Sequence, residues 1–146
     1  MGFRQMGNIL ENDFLYLNIA KLVAERSKAN RKKVGAVLVK NKNIVSFGWN
    51  GTPSGFNNAC EDDNNCTLSL VVHAEANAIC KAAKMGLSIE GADLYLTLSP
   101  CIECIKLIIQ SGIKRVIFSE KYRDFEPIKY LKQAKIKVDF IPFTNV

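Results

Sequence analysis

A chain of 146 residues, 48% hydrophobic and with only four prolines, is long and apolar enough to build a core of its own as one ordered domain spanning residues 1–146, and this argues against disorder. Its 20 basic and 14 acidic residues give a net charge of +6, and no run approaches the roughly 18 uninterrupted apolar residues that a membrane span needs. The segment Met1 to Asp13 lacks a basic start followed by an apolar stretch, so no secretory leader is expected and a cytoplasmic location is.

The densest basic cluster is Lys28, Arg31, Lys32 and Lys33. It fits a nucleic-acid face, ordinary solvated charge, or attraction of a phosphorylated small molecule. Nucleic acid is the less favoured of these, because the basic residues are not interleaved with exposed-looking aromatics. Five cysteines in such a chain read as metal ligands or buried thiols rather than disulfides.

Taken in order, Asp13 can cap a helix running to about Ala29, with Arg26 and Lys28 suited to its negative end. Val34–Val39 and Ile44–Trp49 form an antiparallel hairpin through Lys40-Asn41-Lys42-Asn43. Asn50 to Gly55 is a glycine- and proline-rich loop, and the Asp/Asn-rich stretch after Cys60 prolongs it. A helix is expected from His73 to Met85 and stopped by Gly86, then a strand over Asp93–Leu98. The helix Cys101–Gln110, the strand Lys114–Ser119, the helix Glu126–Ala134 and the strand Lys137–Ile141 complete the chain. Strand–helix alternation from the third strand onward predicts parallel strands with right-handed crossovers. The expected fold class is α/β, a three-layer α/β/α arrangement on a five-stranded mixed sheet with helices on both faces.

The chemistry concentrates at two helix starts. Cys101 and Cys104 are three apart, so both sulfurs can point to one side, and the helix dipole favours a thiolate there. Taken alone, this pair is equally a redox couple or half of a structural zinc site. His73 is the only histidine, and a lone histidine on an apolar helix is commonly a core residue. Glu75 changes that reading, because His73 and Glu75 can share a site placed off the end of their helix. Structural zinc takes four protein ligands, whereas catalytic zinc keeps a position open. Cys80 lies about 10 Å further along the helix, at about 1.5 Å per residue, beyond reach of the same ion. Cys60 and Cys66 are not excluded by arithmetic, but an open site of His73, Cys101 and Cys104 is the better reading. Glu75 would then take the proton of an activated water.

His73-Ala74-Glu75 followed by Pro100-Cys101 through Cys104 is also the known signature of zinc nucleobase deaminases, in which the glutamate is the proton carrier. Within that superfamily the chain resembles the deoxycytidylate (dCMP) deaminases. Val34-Gly35-Ala36-Val37, Gly48-Trp49-Asn50-Gly51-Thr52-Pro53-Ser54-Gly55, His73 to Ile79, Ser99 to Cys104 and Leu107 to Lys114 carry the likeness. The resemblance implies a cytidine deaminase-like fold and hydrolysis of the C–N bond of a cyclic amidine, dCMP to dUMP and ammonia, which supplies thymidylate synthesis. It implies one catalytic Zn2+ per subunit on His73, Cys101 and Cys104, with Glu75 shuttling protons. Asn50 would hold the sugar, and Gly51, Thr52, Pro53, Ser54, Gly55, Ala74, Ser99 and Pro100 would join it in binding substrate, with part of the Gly51 to Gly55 loop alternatively serving an allosteric nucleotide. Tyr122 and Arg123 follow the fourth strand, where open α/β sheets bind ligands, and are candidates for the phosphate. Arg26, Lys81 and Lys84 are candidates for a phosphate, an effector or a subunit contact. Family membership further implies a homo-oligomer, a hexamer, activated by dCTP with Mg2+ and inhibited by dTTP, with no membrane and no nucleic-acid partner.

Two departures stand out. Ala29 and Ala59 occupy positions where some viral relatives have cysteines, and the segment from Ala59 to Val72 has no histidine, so a second zinc at Cys60 or Cys66 is not expected. Trp49 replaces the usual tyrosine of the Gly-Tyr-Asn run. The alternatives are a bifunctional dCMP/dCTP deaminase, a deaminase of tRNA or single-stranded DNA, and a non-catalytic protein with a structural zinc. A free-nucleoside cytidine deaminase usually has cysteine as its first ligand, unlike His73.

Overall fold

The structure is a computed structural model that describes residues 10–143. Most of the N-terminal segment read above for targeting lies outside the described residues. Its elements are α1 (Asp13–Ala24), β1 (Gly35–Lys40), β2 (Asn43–Trp49), α2 (Ala74–Lys84), β3 (Asp93–Leu96), α3 (Ile102–Gln110), β4 (Arg115–Phe118), α4 (Ile128–Gln133) and β5 (Lys137–Phe140). Strand order is β2-β1-β3-β4-β5. β1 is antiparallel to both β2 and β3, while β3, β4 and β5 run parallel. The expected five-stranded mixed sheet is present, flanked by helices on both faces. Among the described residues no helix is long and apolar enough to cross a membrane.

Strand periodicity sorts the core into two layers. Ala36, Leu38, Leu94, Leu96, Val116 and Phe118 pack with α2, α3 and α4 on one face. Val37, Val39, Tyr95 and Ile117 pack with Tyr16, Leu17 and Ala20 of α1 on the other. The β1–β2 turn places Asn41 and Lys42 at positive φ, 52° and 64°, which matches the right-handed twist of a two-residue hairpin.

Both boundaries of α1 differ from expectation. Asp13 is not the cap of α1: Asn12 holds that position, and the buried Asp13 carboxylate accepts from the Leu10 N–H and pairs with Arg115. The helix ends at Ala24 rather than Ala29. Beyond it the buried Ser27 hydroxyl donates to the Asn50 carbonyl and accepts from the Ala29 N–H, an alternative to helical bonding that serine readily offers. Arg26 and Lys28 therefore lie in the connecting loop.

The placing of α2 rests on small residues. Ala74, Ala78 and Ala82, one turn apart, are fully buried against the sheet. At Gly48 of β2 a Cβ would come within 2.6 Å of the Ala78 nitrogen and 2.7 Å of the Ala74 carbonyl oxygen. The Ser46 hydroxyl donates to the Ala78 carbonyl, and Asn77 Nδ2 to the Trp49 carbonyl, both at 2.7 Å. The N-terminus of α2 is thereby fixed beside the end of β2.

Candidate active site

Two helices begin at the same place in space. His73 is the N-cap of α2 and Cys101 the N-cap of α3, and both have extended backbones, with ψ of 157° and 172°. Each residue thus stands just off its helix rather than inside the first turn. β3 and β4 end nearby, tied together by the Ser99 N–H donating to the Glu120 carbonyl and the Ser119 N–H to the Leu96 carbonyl. Because β1 is antiparallel to β3, its first residue meets the same edge, where the Thr97 N–H donates to the Gly35 carbonyl.

His73 Nδ1 lies 3.3 Å from Cys104 Sγ and 3.5 Å from Cys101 Sγ, and the three ligand atoms all fall within 4.8 Å of one another. A tetrahedral zinc with bonds of roughly 2.0–2.3 Å needs donor separations of about 3.3–3.8 Å, which the two nitrogen–sulfur distances satisfy. This trio is the metal-type cluster among the described residues. Cys80 is exposed and lies on another cavity; Cys66 is also exposed. Cys60 is buried and lines the same cavity as His73, yet its thiol bonds the Asn58 carbonyl and it stands outside the cluster.

The electrostatics of the trio suit a cation. The Cys101 thiol is held down to about 3 by its hydrogen bond with Cys104, against the opposing effect of burial, with His73 adding a second bond. The same bond, with burial, pushes the Cys104 thiol up. The hydrogen bond to Cys101 raises the His73 imidazole. Glu75 is only 4% exposed, and burial pushes its carboxyl up from the ordinary carboxylate range.

A cavity of about 230 Å³ opens onto the cluster, lined by His73, Ala74, Glu75, Ser99 and Cys101 together with Asn50 and Tyr122. Tyr122 is held there by its N–H, which donates to Ser99 Oγ at 2.7 Å. Asn50 faces the cavity with its amide committed: Oδ1 accepts from the Val34 N–H, and Nδ2 donates to the Lys32 carbonyl, both at 2.8 Å. Pro100 is buried and does not line the cavity. Arg123 also stands outside it, its guanidinium 5.8 Å from the Tyr122 ring.

The rest of the Asn50 loop, expected to bind substrate beside Asn50, does not line this cavity. Gly51 and Val72 exchange backbone hydrogen bonds of 3.0 and 2.8 Å, and this pairing turns the chain away. Gly51, Thr52 and Ser54 line a second cavity of about 370 Å³ with Trp49, Asn77, Lys81 and Lys84, while Pro53 and Gly55 line neither. Lys81 Nζ sits 3.7 Å from the Phe47 ring centre and 5.7 Å from that of Trp49. Arg26 stands over Trp49 at 5.7 Å, apart from the zinc-type cluster.

Sequence reasoning missed part of the first cavity. Arg31, Lys32, Glu61 and Thr67 line it, brought in by the α1–β1 loop and by a turn bridged at Glu61 and Thr67. The basic cluster ahead of β1 was the one signal pointing there.

The sequence model for the cytidine and deoxycytidylate deaminase zinc-binding region matches residues 10–120, which include the whole cluster and Glu75. The chain belongs to the cytidine and deoxycytidylate deaminase family. Among its relatives, the deoxycytidylate deaminase of Enterobacteria phage T4 is 35% identical, over 89% of this chain and 90% of that one. The human deoxycytidylate deaminase is 39% identical, over 83% of this chain and 72% of its own length. The fold is similar to the dCMP deaminase of cyanophage S-TIM5, solved in complex with dCMP and dUMP, with a TM-score of 0.88 and 42% identity over 91% of this chain and 98% of that one.

Proposed function

We propose that the chain is a single deaminase domain that hydrolyses dCMP to dUMP and ammonia, and so supplies dUMP for thymidylate synthesis. The observation that carries this reading is a His73–Cys101–Cys104 cluster beside the buried Glu75 in one cavity of a deaminase-family chain. His73 Nδ1 and the sulfurs of Cys101 and Cys104 would hold one Zn2+. When bound, zinc supplies the Lewis acidity that activates water at neutral pH. Glu75 does the proton work: burial raises its carboxyl, which suits a group that must both take and give a proton. It takes the proton of the attacking water, passes it to N3 of the pyrimidine, and then serves the departing amine. Ala74, Ser99, Asn50, Arg31, Lys32 and Tyr122 line one cavity; on this reading Ala74 and Ser99 would bound the base, Asn50 would order the wall beside the sugar, and Arg31, Lys32 and Tyr122 would receive the phosphate.

The second cavity suits an effector nucleotide, with Lys81 and Lys84 for phosphates and Trp49 for a base. On this reading dCTP, bringing Mg2+ with its triphosphate, activates there and dTTP inhibits, within a cytoplasmic homo-hexamer.

The test is a panel of deoxycytidine, dCMP, dCTP, CMP and a short cytosine-containing oligonucleotide, followed by absorbance with and without dCTP–Mg2+ or dTTP. Turnover of dCMP well above the nucleoside and the oligonucleotide is expected. Turnover of the oligonucleotide alone would overturn the assignment.

A further inference from the structure

The cavity that holds the cluster carries an acidic side chain that no motif announces. Glu61 Oε2 accepts hydrogen bonds from the backbone N–H groups of both Asn30 and Arg31, at 3.0 and 3.1 Å. Successive N–H groups aimed at one point make a small anion-binding concavity. Here the protein's own carboxylate fills it.

Glu61 is held in that position from behind. It is bridged to Thr67, and the Leu68 N–H donates to the Cys60 carbonyl at 2.8 Å. Asp62 Oδ1 accepts from the N–H groups of Asn64 and Cys66 and so closes the turn between the bridged residues. The carboxylate is thus presented by an ordered turn.

Positive charge around it is scarce. Arg31 and Lys32 are the only arginine or lysine among the residues lining this cavity. Arg31 Nη1 donates to Thr67 Oγ1 at 3.4 Å, and Lys32 Nζ lies 2.8 Å from both oxygens of Glu120. A single phosphate brings up to two negative charges, which Arg31 and, shared with Glu120, Lys32 can meet. A second and third phosphate would need further donors, and the Asn30–Arg31 amide pair is already taken by Glu61. They would also approach a fixed carboxylate, and like-charge contact disfavours the wrong partner.

We propose that Glu61 is a specificity-determining residue, its carboxylate filling the Asn30–Arg31 amide pair so that the cavity accepts a nucleoside monophosphate and turns away the triphosphate. This rests on the reading of the cavity as the dCMP site. It selects, within that reading, dCMP over dCTP as substrate.

The experiment compares kcat/KM for dCMP and dCTP, measured as dUMP and dUTP formed, in the zinc-loaded wild type, Glu61→Gln and Glu61→Ala. Glutamine keeps a neutral oxygen facing the amides and removes only the charge, whereas alanine empties the pair. The wild type is expected to prefer dCMP, and the dCTP:dCMP ratio should rise about tenfold in Glu61→Gln, as fits the loss of one like-charge contact near the surface. That gain should shrink as ionic strength is raised from about 0.01 to 0.15 M, where the screening length falls from about 30 to 8 Å. Two results would overturn the proposal: a wild type that turns over dCTP as well as dCMP, or variants in which both nucleotides lose activity in parallel with an unchanged ratio. A wild type that deaminates neither nucleotide would overturn the underlying dCMP reading and this inference with it.

Discussion

The imidazole Nδ1 of His73 lies 3.3 Å from the sulfur of Cys104, although 31 residues separate them in the chain. Two helices, each entered from an extended N-cap residue, bring these atoms together at one edge of the sheet. If the trio is the metal site, the purified protein carries one zinc per chain, and His73→Ala, Cys101→Ser and Cys104→Ser each lose it. Cys80→Ser, on the other cavity, keeps it. Metal analysis of the four variants checks this, and a zinc-free Cys80→Ser would show that the coordination differs.

Gly48 seats the helix that carries Glu75. A methyl group there would press on the Ala78 nitrogen and the Ala74 carbonyl, which are backbone atoms and cannot swing aside. Gly48→Ala should therefore cost roughly 1–3 kcal/mol, the usual range for overpacking, and lower dCMP turnover by displacing the start of α2. Chemical denaturation and turnover measured together test it; unchanged stability would show that α2 can shift freely.

How much of this was legible in the chain depends on the range of the contacts involved. Strands and helices were legible because period-2 and period-3.6 patterns are local, and the cluster because His73, Glu75, Cys101 and Cys104 lie at helix starts in recognisable spacings. The end of α1 was not, because the Ser27 hydroxyl answers to the Asn50 carbonyl, 23 residues away. The path of Gly51 to Gly55 depends likewise on a distant contact, the pairing of Gly51 with Val72. Glu61 lies in an Asp/Asn-rich stretch that reads as loop, and its partners Asn30 and Arg31 are about thirty residues away. The buried pair of Asp13 and Arg115, 102 residues apart, was equally invisible.

That pair gives the protein an acid limit. Arg115 Nη1 and Nη2 grip the two oxygens of Asp13 at 2.9 and 2.8 Å, and the Tyr95 hydroxyl adds a third bond. Burial by itself would raise the Asp13 carboxyl, but the bonds from Arg115 and Tyr95 outweigh it and hold the group below its ordinary 3.8. A carboxyl depressed in the folded state contributes stability that is present above the unfolded value and lost as pH falls through the folded one. Thermal unfolding should therefore shift downward as pH drops below about 4. Asp13→Asn should lose about 1–3 kcal/mol near neutrality, since it removes the carboxylate that accepts two bonds from Arg115 and leaves that guanidinium paired with Asp139, and should show a weaker dependence on acid. An Asp13→Asn protein as stable as the wild type at pH 7 would count against this role.

The central claim is that Glu75 carries the protons for dCMP deamination beside a zinc held by His73, Cys101 and Cys104. The most direct test is the rate of dUMP formation from dCMP by the wild type and Glu75→Gln, compared at equal zinc content. The account predicts that Glu75→Gln keeps its fold and its zinc and is slowed roughly 10²–10⁴-fold, the range for loss of general acid–base catalysis. A zinc-loaded Glu75→Gln that forms dUMP at the wild-type rate would contradict it.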